Sequence, residues 1–188
     1  MKEKLTLRNV ILWTAALALI VTFYFSFGAT VKLTGHPGGT YVQYVFTNAL
    51  WKTKTAIVTG EEPITIPEGY RLSSGLGIAA VLMLLFASIG LVLISFLVKD
   101  EKVKKVLIFV CAGLILAGGV MLFFLAQKGW KEVANMTGEP LEEVKEMLKM
   151  YGFKASSPYG TGAGIVSILF SVAIIGTQTF IPEVKFIK

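Results

Sequence analysis

The chain has 188 residues, 54% of them hydrophobic and only 16% charged, with a formal net charge of +6. About a quarter of the residues in an ordinary soluble domain are charged, so this composition excludes one and makes the bilayer the solvent. The basic residues cluster beside apolar runs rather than among exposed aromatics, which points to membrane topology and away from nucleic acid.

A short basic start with Lys2, Lys4 and Arg8 leads into an uncharged run from Asn9 to Val31. The apolar part of a cleaved signal peptide is usually about 7 to 15 residues long. This run is longer and ends in Phe23-Tyr24-Phe25-Ser26-Phe27, so it reads as a retained first span over about residues 9–29. Trp13 and the Phe23–Phe27 cluster suit the two membrane interfaces, or they are ordinary lipid-facing aromatics.

From about residue 30 to 72 the chain leaves the bilayer. Gly, Pro and Thr become frequent, and Thr40–Thr47, Thr53–Val58 and Ile64–Ile66 are β-branched, aromatic stretches separated by Asn48, Gly60 and Pro63. They read as short strands of a small antiparallel sheet, which needs the helix ends or a partner chain to support it. His36, the only histidine, lies in a Pro-Gly-Gly turn with no second ligand at metal-site spacing.

Leu72–Val98 and Val106–Gln127 carry no charge, and each exceeds the roughly 20 residues that an α-helix needs to cross the hydrocarbon. They read as the second and third spans, about 74–98 and 105–127. Only Lys99-Asp100-Glu101-Lys102-Val103-Lys104-Lys105 joins them, so they must be antiparallel neighbours with a charged tip in water. Cys111, the single cysteine, allows no intrachain disulfide and reads as a structural thiol. Gly113 and Ala117 are four apart, with Gly118 and Gly119 next, the small-residue spacing that lets two helix backbones approach in lipid.

The second excursion, about 128–158, is polar. Pro140 suits a first helical turn, Thr137 a cap and Gly152 a stop, with Leu141, Val144, Leu148 and Tyr151 forming an apolar stripe. Glu139, Glu142 and Glu143 come early in this helix and Lys145 and Lys149 late, complementing its dipole. The stripe needs a cover, from the sheet, the membrane interface or a partner protein. Asn135-Met136-Thr137 matches the N-glycosylation acceptor pattern. A final charge-free run holds the fourth span, about 160–181, with Gly160 and Gly164 as a further small-residue pair.

These elements compose an all-α membrane protein of one domain. It is a four-transmembrane-helix bundle with a small extracellular β-sheet and a short extracellular amphipathic helix. Lys2, Lys4, Arg8, Lys99, Lys102, Lys104, Lys105, Lys185 and Lys188 lie in short segments flanking the spans, so the positive-inside rule makes both termini cytoplasmic in a multi-pass cell-membrane protein. The basic tip also suits anionic lipid heads.

No Asp, Glu, Lys, Arg or His falls within the uncharged runs that form the four spans, which disfavours pumps and ion-coupled transport. No catalytic, metal or cofactor motif is present, so the chain is not expected to be an enzyme in its own right or to carry a cofactor. The leading expectation is a non-enzymatic membrane protein that acts through contacts with other membrane subunits or with itself. Trp51, Arg71, Leu141, Val144, Leu148 and Tyr151 are its candidate outer contacts. A lipid- or quinone-binding crevice between helices is the alternative and a transporter the third.

Four spans, cytoplasmic termini, a β-rich first extracellular segment and a shorter second one resemble the claudin and peripheral-myelin-protein group. Asn48-Ala49-Leu50-Trp51-Lys52-Thr53 is similar to the Gly-Leu-Trp stretch of that family's first extracellular segment, and Arg71 sits where the family often has a basic residue. Ala49 replaces the family glycine, and the two cysteines that staple the family's sheet are absent. The family's barrier-forming function is therefore not carried over.

Overall fold

The computed structural model describes residues 7–27, 30–39, 42–47, 55–59, 62–64 and 75–180. In chain order it contains α1 (Leu7–Phe27), β1 (Thr30–Gly35), β2 (Val42–Thr47), β3 (Thr55–Thr59), β4 (Glu62–Ile64), α2 (Gly75–Leu97), α3 (Glu101–Phe123), α4 (Lys128–Thr137), α5 (Leu141–Met150), β5 (Lys154–Ser156) and α6 (Pro158–Phe180).

Helices α2, α3 and α6 are long and apolar enough to cross a membrane. With α1 they close a ring, α1 against α2, α2 against α3, α3 against α6 and α6 back against α1. Leu12, Leu19, Leu84, Leu91, Ile108, Ile115, Leu122 and Ile174 fill the interior. The outside is equally apolar. Leu17, Phe86, Leu97, Val106, Leu169 and Val172 are each more than half exposed, a surface that water would not tolerate and lipid requires.

The turn between α2 and α3 is shorter than the sequence implies. Glu101–Lys105, expected in a seven-residue tip, forms the first turns of α3, leaving Val98-Lys99-Asp100 as the connection. Asp100 explains the difference. Its carboxylate accepts from the Lys102 and Val103 amides at 2.8 and 3.1 Å, satisfying two of the amides that a helix start leaves unbonded. Asp100→Ala is expected to lower stability by about 1 kcal/mol, read as a lower thermal midpoint in mild detergent, with Asp100→Asn retaining most of it.

At the opposite end, α3 runs through a 3-10 segment, Phe124–Gln127, into α4. The stretch Glu101–Asn135 is thus helical throughout and carries the chain from the bundle into a cap. The cap holds a five-stranded sheet of order β4-β3-β2-β1-β5, antiparallel at every junction. It is larger than the two or three strands expected, because β1 and β5 join it. Strand β1 alternates, with Val31, Leu33 and Gly35 buried and Lys32 and Thr34 partly open. Gly129 of α4 lies on that inner face, where a Cβ would come within 2.9 Å of Val31.

Thr137 is not the cap of α5. It ends α4, its hydroxyl donating to the carbonyls of Val133 and Ala134, and Gly138 in the left-handed region closes that helix. Pro140 is the residue before α5. At the far end Gly152, with φ of 75°, bonds back to Lys149, and the Phe153 amide reaches the Leu148 carbonyl at 3.0 Å. This left-handed stop aims the Phe153 ring at β1, where it lies on the bare backbone of Gly35.

Candidate functional site

Within the bundle, polar side chains are absorbed by the backbone. Ser88, Ser167 and Thr177 donate to carbonyls of their own helices, and Ser171 donates across to the Ala112 carbonyl at 2.8 Å, tying α6 to α3. The Trp13 indole donates to the Ser95 hydroxyl at 2.8 Å and stacks on Phe96, tying α1 to α2. Ser157 Oγ and Gln178 Nε2 are buried with no hydrogen bond among the described residues. Ser157 sits at the head of α6, just before Pro158, where its carbonyl accepts from Thr161.

The expected packing glycines divide. Gly164 meets the backbone of α3 so closely that a Cβ would fall 2.6 Å from the Phe123 amide nitrogen and 2.7 Å from the Gly119 carbonyl. Gly118 faces the Ala80 carbonyl of α2, and Gly160 faces the Leu122 carbonyl and the Ser157 hydroxyl. Gly113 has open space around its Cβ position, so it belongs to the lipid-facing side rather than to a helix seam, and Ala117 is half-buried. The seam is therefore Gly118 toward α2 and Gly119 with Gly164 between α3 and α6. Its one-sidedness follows from the helical period. Residues 118 and 119 point to adjacent neighbours in a ring, and residue 113 points away from both.

The expected contact residues also divide. Trp51 and Arg71 lie outside the described residues. Val144 and Leu148 are buried, covered by α4 in a helical hairpin. That cover is none of the three expected, because α4 itself was not foreseen. Its signal was present in Trp130, Val133, Ala134 and Thr137 at helical spacing, the first three of them buried. Leu141 and Tyr151 stay open, and Met147 and Met150 join Tyr151 on one exposed face of α5, with Met150 81% exposed. Asn135 is exposed on α4.

Among the described residues, two grooves on the helix surface stand out. One, about 270 Å³, is wholly apolar and is lined by Val120, Phe123, Phe124, Ile165, Ile168 and Leu169 between α3 and α6. The other, about 240 Å³, lies where α1 meets the glycine-rich start of α6, beside Thr22, Tyr159, Gly162 and Val166. Among the described residues no group of three or more His, Cys, Asp or Glu is placed to hold a metal. No protein-family model and no curated protein matches this chain.

Proposed function

We propose that the chain is a four-span membrane protein that acts through protein contacts made by its cap, as an accessory subunit of a membrane complex or as a self-associating module. Helix α1, at 21 residues, is the fourth span, about 31 Å of helix at 1.5 Å per residue. The lysine-rich turn between α2 and α3 supports, by the positive-inside rule, a cytoplasmic location for that end and for both termini, with the cap outside the cell membrane.

The observation that carries the reading is the contrast between the two parts. The interior of the bundle is filled, and its polar groups are mostly engaged by backbone carbonyls. The cap presents Met147, Met150 and Tyr151 together on a helix that already has its buried face covered. Methionine-rich exposed surface adapts to more than one partner shape. Native mass spectrometry of the chain released gently from its own membrane, with cross-linking before release, is expected to give a defined complex. A lone chain in both experiments would overturn the proposal.

A second reading, a lipid- or quinone-binding crevice, is favoured by the groove between α1 and the start of α6, where Gly162 leaves room and Tyr159 offers a hydroxyl. A stoichiometric small molecule on the lone chain in the same spectra would select it. The layout of four strands from the first excursion beside a helical ring supports the claudin-like resemblance as a proposal about architecture only.

A further inference from the structure

The turn between α2 and α3 concentrates cations in a way the cap does not. Four lysines, Lys99, Lys102, Lys104 and Lys105, fall within seven residues against two acids, Asp100 and Glu101. The Asp100 carboxylate accepts from the amides that begin α3 and keeps its charge, so the four lysines outnumber the acids of the turn by two. Lys99, Lys102 and Lys105 are exposed.

Their depth is fixed by their neighbours. Phe96, stacked on Trp13 at 5.3 Å, lies one residue before the end of α2 and three before Lys99. The Lys105 ammonium lies 6.0 Å from the centre of the Phe109 ring. From Val103 onward α3 shows lipid an apolar stripe through Val106 and Val110, each at least half exposed. The Trp13 ring, stacked on Phe96, is of the amphipathic kind that settles at the membrane–water boundary. The lysines therefore stand one turn beyond the hydrocarbon edge, at the level of lipid phosphates.

We propose that this turn is a binding site for anionic phospholipid headgroups, with Lys99, Lys102 and Lys105 gathering the phosphate and the valine stripe of α3 taking an acyl chain. The site is independent of whatever the cap binds, and it needs only that the helices sit in a bilayer. It also does more than orient the chain, because a topology signal requires positive charge near a span but no retained lipid.

The test uses the full-length protein in nanodiscs of equal phosphatidylglycerol and phosphatidylcholine, released into mild detergent and weighed with its retained lipids. Wild type is expected to keep phosphatidylglycerol at least about fivefold over phosphatidylcholine, since one lysine near an anionic surface alone supplies a factor of that order. The combined K99Q/K102Q/K104Q/K105Q variant is expected to keep both lipids equally, and the corresponding all-arginine variant to keep the preference. Should the glutamine variant fail to fold, wild type released in about 1 M NaCl reads the same quantity, because screening there shortens to about 3 Å. Equal retention by wild type, or a preference that survives both neutralisation and salt, would overturn the site.

Discussion

Gly164→Val is expected to cost about 3 kcal/mol, at the upper end of what overpacking inflicts, and to separate α3 from α6. The reason is the identity of the neighbours. A Cβ at Gly164 would meet the Phe123 amide nitrogen, the Gly119 carbonyl and the Phe123 Cα, all within 2.9 Å and all backbone. A flexible side chain could swing aside, but a helix backbone cannot move without carrying its whole length. Gly164→Ala already introduces the offending atom and should show a large share of the loss. Gly113→Val, made in the same run of small residues but with open space around it, should change stability by less than about 0.5 kcal/mol. The measurement is the thermal midpoint of each variant in mild detergent, followed by monodispersity on size exclusion. Equal midpoints for the two valine variants would refute the assignment of the seam.

Phe153→Ala is expected to cost about 3–5 kcal/mol, but inside the cap alone. Phe153 is 5% exposed and lies on Gly35, so it fastens the α4–α5 hairpin to β1 at the point where β5 begins. Truncation empties that contact and leaves β5 held to β1 by a ladder of three residue pairs. Hydrogen exchange should then accelerate at Lys32–Thr34 and Lys154–Ser156, while amides of α2 and α3 keep their protection. Gly35→Val attacks the same contact from the other side and should give the same pattern. Faster exchange throughout the bundle, or no change in the sheet, would contradict a fastening role for Phe153.

How far the sequence reaches differs by element, for physical reasons. The long helices were legible because twenty uncharged residues in a row have one inexpensive solution in lipid. Strand β1 was not, because Thr30-Val31 closes an uncharged run and Lys32–Gly35 holds no run of β-branched or aromatic residues like those that mark the other strands. Its alternation of Val31 and Leu33 is only two residues deep. Strand β5 has no signal of its own. Lys154-Ala155-Ser156 becomes a strand because Phe153 and the start of α6 deliver it to the open side of β1. Helix α4 was obscured by Gly129 and two lysines, although its apolar spacing was readable. Within the expected contact stripe, the spacing marks Val144 and Leu148 as an apolar face, and the structure buries both, but only the missing helix shows that the cover is internal. Small-residue spacing pointed to the stretch of α3 that contains Gly118 and Gly119, yet it could not choose between Gly113 and Gly119. That choice depends on which side of the helix faces a neighbour, and the neighbours are set by the ring.

The place of β5 in the sheet has a consequence for biosynthesis. Strand β1 is made early, next to its partner β2, but its other edge is filled by residues that leave the ribosome only after the two long helices α2 and α3 and the α4–α5 hairpin have been made. Throughout that interval the nascent protein carries an open hydrogen-bonding edge of the kind that invites strand addition from another molecule. The edge closes when β5 arrives, and α6 starts two residues later, at Pro158. The edge strand and the last helix are therefore made almost together, and the β1 edge stays open in any chain that stops short of residue 154.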